Sequence, residues 1–141
     1  MSRIMALDVG SVTLGVAVSD ELGITAQPVT TLKRRGWSHD LRAVGDLARE
    51  YDVSAFVVGL PLRLSGEAGP AAGGAEVFAA KLRSAVGIPV QTWDERLSTV
   101  QAERSLLEGD VSRRRRREVI NQVAAAIILQ SFLDSRRAAV P

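Results

Sequence analysis

The chain has 141 residues, a hydrophobic fraction of 46% and a formal net charge of +2. This length predicts one domain over residues 1–141, and the hydrophobic fraction suffices for a packed core, which excludes a disordered chain. Because the sequence contains no cysteine and a single histidine, His39, it excludes disulfides, cysteine nucleophiles and zinc sites built on several histidines, and it favours the cytoplasm.

Three strands are predicted in the first part of the chain. Ile4–Val9 has apolar side chains on both faces, which is typical of a central strand, yet it also carries Asp8. Leu14–Ser19 follows after the turn GSVT, and Val29–Leu32 is a weaker candidate for the third strand. Consecutive strands joined by short connections can pair antiparallel, so this part predicts an antiparallel unit.

Helices and strands alternate in the middle of the chain. Residues Trp37–Tyr51 have helical apolar spacing, with Ser38 as the expected N-cap. The β-branched run Ser54–Leu62 is typical of a buried parallel strand. Three further elements are predicted: a mobile loop over Ser65–Gly74, a helix over Ala75–Val86 and a strand over Ile88–Trp93.

Two helices are predicted in the last third of the chain. The first begins at Ser98, where Ser98 and Gln101 have capping-box spacing, and it ends at Gly109. The second runs from Arg117 to about Leu133 and contains the longest unbroken apolar run, of seven residues. Because a membrane helix needs roughly 20 such residues, and because no secretion signal is recognised, we expect a soluble cytoplasmic protein.

The order of these elements predicts an α/β fold. Three strands that can pair antiparallel come first, and the later strands alternate with helices, as parallel strands in βα units do. We therefore expect a mixed sheet with helices packed on its faces.

Asp8 is the anomalous residue of the first strand. A buried ionised carboxylate costs several kcal/mol unless it has a partner, so Asp8 either pairs with an arginine or a backbone donor or binds a metal ion. Its position near the carboxyl end of a strand, where sheet proteins place ligands, favours a metal ion. Gly10 and Gly15 support this interpretation, because glycines let a ligand approach the backbone.

A second group of acids, Asp94 and Glu95, directly follows the strand Ile88–Trp93. Adjacent residues of an extended segment point to opposite sides, so only one of the two can share a site with Asp8. The other is expected to bind Arg96 or to cap a turn. Two carboxylates on neighbouring strands suffice for magnesium or manganese, since these ions keep several water ligands.

Four blocks occur in order along the chain: DVGSVTLGVAVSD, VVGLPLRLSGEAG, DERLSTVQAE and VINQVAAAIILQSFLD. On these blocks the chain resembles the YqgF/RuvX family of ribonuclease H-like nucleases over nearly its full length. The resemblance implies a ribonuclease H-like mixed sheet with helices on both faces. It also implies a metal-dependent endonuclease that hydrolyses phosphodiester bonds in structured nucleic acid, in Holliday junction resolution or in 5′ maturation of pre-16S rRNA.

The same resemblance implies roles for individual residues. Asp8 matches the first catalytic acid and Glu95 the acid of the family's DER motif, whereas Asn121 stands where the family usually has a third acid. An amide oxygen can bind a metal, but it brings no charge; Glu118, on nearly the same helical face, is the alternative third ligand. The implied catalytic and metal-binding residues are Asp8, Glu95 and Asn121, with Mg²⁺ or Mn²⁺ in two-metal hydrolysis.

Basic side chains are candidates for contact with nucleic-acid phosphates. Five consecutive arginines, Arg113–Arg117, precede or begin the last predicted helix. Positive charges are disfavoured at a helix start, which suggests that these arginines contact phosphates, although such a run is also typical of a solvated helix start. Contacts of this kind bind the backbone and do not read bases. The candidate nucleic-acid-binding residues are Lys33, Arg34, Arg35, Arg63, Arg96, Arg113, Arg114, Arg115, Arg116 and Arg117.

Other functions are also consistent with the sequence. The block DVGSVTLGVAV resembles the first phosphate loop of actin-like ATPases and sugar kinases, although those proteins contain two such domains. The chain can instead be a non-catalytic RNA-binding or ribosome-assembly factor, inactivated by Asn121. Branched DNA and precursor rRNA are equally compatible substrates, and a homodimer is compatible as well.

Trp93 is interpreted as a core side chain, with base stacking as the alternative.

Overall fold

The computed structural model describes residues 3–63, 65–110 and 113–138, and for residues 108–110 and 113–118 it describes the backbone alone. Its strands are β1 (Arg3–Val9), β2 (Thr13–Ser19), β3 (Ala26–Lys33), β4 (Val53–Leu60) and β5 (Val90–Asp94). Its helices are α1 (Trp37–Glu50), α2 (Pro70–Val86), α3 (Val100–Asp110) and α4 (Arg113–Ala138), and a 3-10 turn, Glu95–Leu97, connects β5 to α3.

The strands form a mixed sheet in the order β3-β2-β1-β4-β5. β2 pairs antiparallel with both β1 and β3, whereas β4 lies parallel to β1 and β5 lies parallel to β4. The predicted antiparallel unit followed by parallel βα units is therefore confirmed. Because β1, β4 and β5 are parallel, their carboxyl ends lie at the same edge of the sheet, with β1 at its centre.

Helices cover both faces of the sheet and create two hydrophobic cores. The core under α1 and α2 contains large side chains, among them Met5, Leu7, Phe56, Phe78 and Leu82. The core under α4 contains many small ones, among them Ala6, Ala17, Ala124 and Ala125. Full burial of each large apolar side chain contributes about 1.5–3 kcal/mol, so the first core supplies much of the stability. The small residues of the second core let α4 lie close to the sheet.

Two glycines provide the space for this close approach. A methyl group at Gly15 of β2 would overlap the main-chain carbonyl group of Asn121 on α4. A methyl group at Gly59 of β4 would lie 2.7 Å from Cδ1 of Ile128 and 2.9 Å from Oε2 of Glu95. The backbone of α4 therefore requires glycine at position 15, whereas a methyl group at position 59 would displace the ends of the Ile128 and Glu95 side chains.

The N-cap of the first helix and the first residue of the second helix differ from the prediction. The N-cap of α1 is Gly36, with φ at 118°, and Ser38 lies inside the helix, so the predicted cap is wrong. Glycine adopts this φ without strain, and the chain therefore enters α1 without a side-chain cap. α2 begins at Pro70, so the predicted loop over Ser65–Gly74 is wrong in its second half. Proline is favoured in a first helical turn because its φ is already near the helical value.

The last two helices also differ at their starts. α3 begins at Val100 because the preceding residues form the 3-10 turn: the Ser98 hydroxyl donates to the Glu95 carbonyl (2.8 Å) and accepts the Val100 N–H (3.2 Å). α4 already begins at Arg113, which is consistent with the high helix propensity of arginine. Across the described ranges, none of the helices is both long and apolar enough to cross a membrane.

Gly15→Ala is expected to lower the free energy of unfolding by roughly 3 kcal/mol, because the new methyl group overlaps main-chain atoms that move only if α4 moves away from the sheet. Urea denaturation followed by circular dichroism measures this change. Gly74→Ala in α2 is the control: nothing lies near its new methyl group, and it should raise stability by about 0.5–1 kcal/mol. Equal stability of Gly15→Ala and the parent chain would contradict the close approach.

Candidate functional site

Asp8 lies near the carboxyl end of β1, on the face of the sheet that α4 covers. Side chains alternate along a strand, and Ala6, two residues earlier, belongs to the core under α4. In the register of β1 and β2, Asp8 stands opposite Gly15. Its residue exposure is only 9%, and its Oδ1 accepts a 2.7 Å hydrogen bond from Nη2 of Arg104. Of the two alternatives for this residue, the structure contains the arginine partner.

Glu95 reaches the same place from the end of β5. It is the first residue of the 3-10 turn, and its side chain, 1% exposed, lies over Gly59 of the intervening strand β4. Its Oε1 accepts a 3.1 Å hydrogen bond from Nη1 of Arg104. One guanidinium therefore joins the carboxylates of Asp8 and Glu95, which come from the carboxyl ends of two parallel strands.

Arg104 is the residue of this cluster that the sequence analysis missed. It lies on α3, 96 positions from Asp8 in sequence, and 26% of its side chain is exposed. A signal for it was available in the spacing of α3. Val100 is fully buried, and Arg104 follows it by four residues, so the two lie on the same inward face of the helix. A long cation on an inward face next to two acids indicates an ion pair.

Burial dominates the electrostatics of the cluster. It raises the pKa of Asp8 above the usual aspartate range, although the charge of Arg104 opposes the shift. It also raises the pKa of Glu95, again against Arg104 and with a further upward contribution from the charge of Asp8. For Arg104, burial lowers the pKa, but the two carboxylates outweigh it and the net shift is upward. One arginine thus leaves the two acids short of positive charge.

Asp94, the neighbour of Glu95, has a different role. Its carboxylate accepts hydrogen bonds from the Arg96 side chain, at 2.7–3.1 Å, and from the Arg96 backbone N–H at 2.9 Å, which caps the 3-10 turn. These bonds hold the pKa of Asp94 below its usual range. The expectation that one acid of the pair binds Arg96 and caps a turn is therefore confirmed, and Glu95 is the acid that lies with Asp8.

Asn121 is placed by the close contact of α4 with β2. Its backbone lies on Gly15, and its side-chain Nδ2 donates a 2.6 Å hydrogen bond to the hydroxyl of Thr13 at the start of β2. Because Gly15 stands opposite Asp8, this contact brings Asn121 to the same end of the sheet as Asp8. The side chain of Glu118, the alternative third ligand, lies outside the described residues, so the choice between them stays a prediction.

The chemistry of the donor set suits a hard divalent cation. Asp8 and Glu95 offer carboxylate oxygens, and Asn121 offers an amide oxygen, all of which are ligands of the type that Mg²⁺ and Mn²⁺ prefer. Among the side chains that the structure describes, three acids or histidines do not come together as a metal site. The donors therefore fit a cation that keeps several of its waters.

The candidate phosphate-binding residues differ in their surroundings. Lys33, Arg35 and Arg63 are exposed, whereas Arg96 is held by Asp94. The side chains of Arg113–Arg117 lie outside the described residues. Contact of any of them with phosphate stays a prediction.

Arg34, by contrast, is built into the fold. Its Nε donates to Oδ2 of the buried Asp40 at 3.2 Å, and its Nη1 donates to the carbonyl of Gly10 at 3.0 Å. The guanidinium carbon also lies 5.0 Å from the ring centre of Trp37 and 5.5 Å from that of Phe78. Arg34 therefore ties the turn after β1, which begins two residues beyond Asp8, to the start of α1.

Trp93 is held against α4. Its Nε1 donates a 3.1 Å hydrogen bond to the Ser131 hydroxyl, and its ring meets the Phe132 ring edge-on, with centres 5.4 Å apart. The ring packs against the core under α4. These contacts agree with the core interpretation of Trp93.

Comparison with known proteins identifies relatives over nearly the whole chain. The model of the RuvX family, described as Holliday junction resolvase, matches residues 2–135. A protein of Myxococcus xanthus is 54% identical, over 96% of this chain and 89% of its own length. A protein of Moorella thermoacetica is 56% identical, over 94% of each chain. Both relatives carry the name "Putative pre-16S rRNA nuclease".

Solved structures show the fold at greater evolutionary distance. Thermus thermophilus RuvC in complex with a Holliday junction substrate matches 97% of this chain and 96% of its own, with a TM-score of 0.62 and 14% identity. A second structure of Thermus thermophilus RuvC gives a TM-score of 0.59 at 15% identity. Identities this low show the fold alone, and they confirm the expected ribonuclease H-like sheet with helices on both faces.

Arg34→Gln is expected to lower the free energy of unfolding by about 2 kcal/mol, because it removes the side-chain cation from the buried Asp40 and leaves that carboxylate its bond from the Arg35 N–H. Chemical denaturation measures the change. Lys33→Gln, an exposed neighbour with the same loss of charge, is the control and should stay within about 0.5 kcal/mol. If both variants are equally stable, Arg34 does not hold the turn.

Proposed function

Since the chain belongs to the RuvX family, we propose that it is a nuclease that depends on a divalent metal and hydrolyses phosphodiester bonds in structured nucleic acid. The observation that carries this proposal is that two buried acids, Asp8 and Glu95, come together from the ends of parallel strands and share the guanidinium of Arg104. Buried acids at the carboxyl edge of a sheet have little structural benefit, which favours a functional use.

Asp8 and Glu95 would hold Mg²⁺ or Mn²⁺, with Asn121 as an uncharged third ligand. Metal ions bound there supply a water of lowered pKa for attack on phosphorus and a positive charge that stabilises the leaving oxygen. The chain itself positions the carboxylates: Gly59 leaves room for Glu95, and the Thr13 hydroxyl orients Asn121.

Precursor 16S rRNA is the substrate that we propose first, and cleavage near its 5′ end is the implied reaction. The names of relatives that are more than 50% identical over nearly the full chain support this choice. Branched DNA is the second candidate, supported by the description of the family. Lys33, Arg35 and Arg63 are exposed and available to bind the phosphates of either polyanion.

A non-catalytic RNA-binding factor is a second possible function, and Asn121 is the observation that favours it. The amide brings no charge to the site, and its Nδ2 is committed to Thr13. Binding of precursor rRNA without metal-dependent cleavage would establish this alternative.

Asp8→Asn is expected to abolish cleavage, by at least about a hundredfold, because the amide removes a charged ligand while preserving the shape of the side chain. The assay follows cleavage of a precursor 16S rRNA fragment and a four-way DNA junction with Mn²⁺, and circular dichroism checks the fold. Asp46→Asn, on exposed α1 at the opposite face of the sheet, is the control and should retain activity. Unchanged cleavage by Asp8→Asn would remove Asp8 from the catalytic site.

Asn121→Asp is expected to lower the Mg²⁺ concentration needed for half-maximal cleavage, because an added carboxylate strengthens the attraction of the site for a cation. The gain should be smaller with Mn²⁺, which tolerates neutral ligands better. Metal titrations of the parent chain, Asn121→Asp and Glu118→Gln make the comparison. An unchanged metal requirement in Asn121→Asp, together with loss of activity in Glu118→Gln, would assign the third position to Glu118.

A further inference from the structure

We propose that Arg104 is a resident cation of the site that a divalent metal must displace, so that it limits metal loading. This inference rests on the proposed function, because it concerns the same two carboxylates. It adds a competing cation on α3 to a site otherwise built from the sheet and α4.

The geometry places Arg104 in direct competition with a metal ion. Nη2 lies 2.7 Å from Oδ1 of Asp8, and Nη1 lies 3.1 Å from Oε1 of Glu95. One planar fork thus occupies an oxygen of each acid, and charge-assisted hydrogen bonds of this kind are among the stronger ones. A divalent cation bound to the same two oxygens would lie close to the guanidinium, and the repulsion between the two positive charges opposes their simultaneous binding.

The exposures of the three side chains show that Arg104 lies between the two acids and the solvent. The side chains of Asp8 and Glu95 are 11% and 1% exposed, whereas that of Arg104 is 26% exposed. Arg104 therefore lies on the solvent side of the two acids, and its long side chain can leave toward water without unfolding the sheet. Arginine carries one charge against the two of the acids, so a divalent ion compensates the site more completely.

The ion pair also has a structural use. Two buried carboxylates without a cation destabilise a fold strongly, and loss of one partner of such a group commonly costs several kcal/mol. Arg104 compensates part of this cost before metal binds. The same contact therefore stabilises the metal-free protein and weakens its apparent affinity for metal, because the binding-competent state is only partly populated.

The test measures Mn²⁺ binding alone, without nucleic acid, by calorimetry or by the electron paramagnetic resonance signal of free Mn²⁺. Arg104→Gln removes the competing charge and should bind Mn²⁺ at least about tenfold more tightly than the parent chain. It should also melt at a lower temperature without Mn²⁺ and gain more in melting temperature when Mn²⁺ is added. Arg49→Gln, an exposed arginine of α1 that pairs with Asp46, is the control and should change neither quantity.

Arg104→Lys keeps the charge but loses the fork, and it covers the case in which Arg104→Gln fails to fold. If both variants fold, Arg104→Lys should bind Mn²⁺ with an affinity between those of the parent chain and Arg104→Gln. If only Arg104→Lys folds, its affinity for Mn²⁺ should exceed that of the parent chain. Equal or weaker Mn²⁺ binding in the Arg104 variants overturns the inference and leaves the proposed function standing. Absence of Mn²⁺ binding in every variant and in the parent chain overturns both.

Discussion

The buried carboxylates of Asp8 and Glu95 share one guanidinium, that of Arg104, and the arrangement of the surrounding strands and helices makes this contact possible. Asp8 and Glu95 can meet only because β1, β4 and β5 run parallel and end at one edge. Glycine at position 59 leaves room for the Glu95 side chain over β4, and Arg104 reaches the acids from α3, which follows the 3-10 turn after β5. A fold selected for stability alone would place apolar side chains here, since such replacements are often neutral or stabilising.

The two faces of the sheet differ: one carries a core of large side chains, and the other carries the candidate site. Large side chains such as Met5, Leu7 and Phe78 fill the core under α1 and α2, where each buried group contributes about 1.5–3 kcal/mol. Under α4 several residues are small, and Gly15 permits direct contact between the sheet and the helix backbone. That contact fixes the position of α4 and hence of Asn121. The candidate site therefore depends on how α4 packs against the sheet.

The sequence predicted the sheet well because strand patterning is local. The apolar faces of β1, the β-branched run of β4 and the alternation of elements sufficed for the mixed topology, and Asp8 and Glu95 were both singled out before the structure joined them through Arg104. The N-cap of α1 at Gly36 and the start of α2 at Pro70 were missed, because caps depend on backbone conformations that several residues can adopt. Arg104 was missed for another reason: the spacing of α3 indicates only that this side chain faces inward, and its partner Asp8 is 96 positions away in sequence.

Charge connects Arg104 to Asn121, the proposed uncharged third ligand. Two carboxylates and one guanidinium leave the cluster with a net single negative charge, since the amide contributes none. An additional carboxylate would strengthen the hold of Arg104 as well as that of a metal ion, because both compete for the same negative charge. By Coulomb's law, however, a divalent cation gains twice as much from each added charge as a guanidinium at equal distance. In the proposed competition, added acids therefore favour the metal ion, and the amide at position 121 favours the arginine.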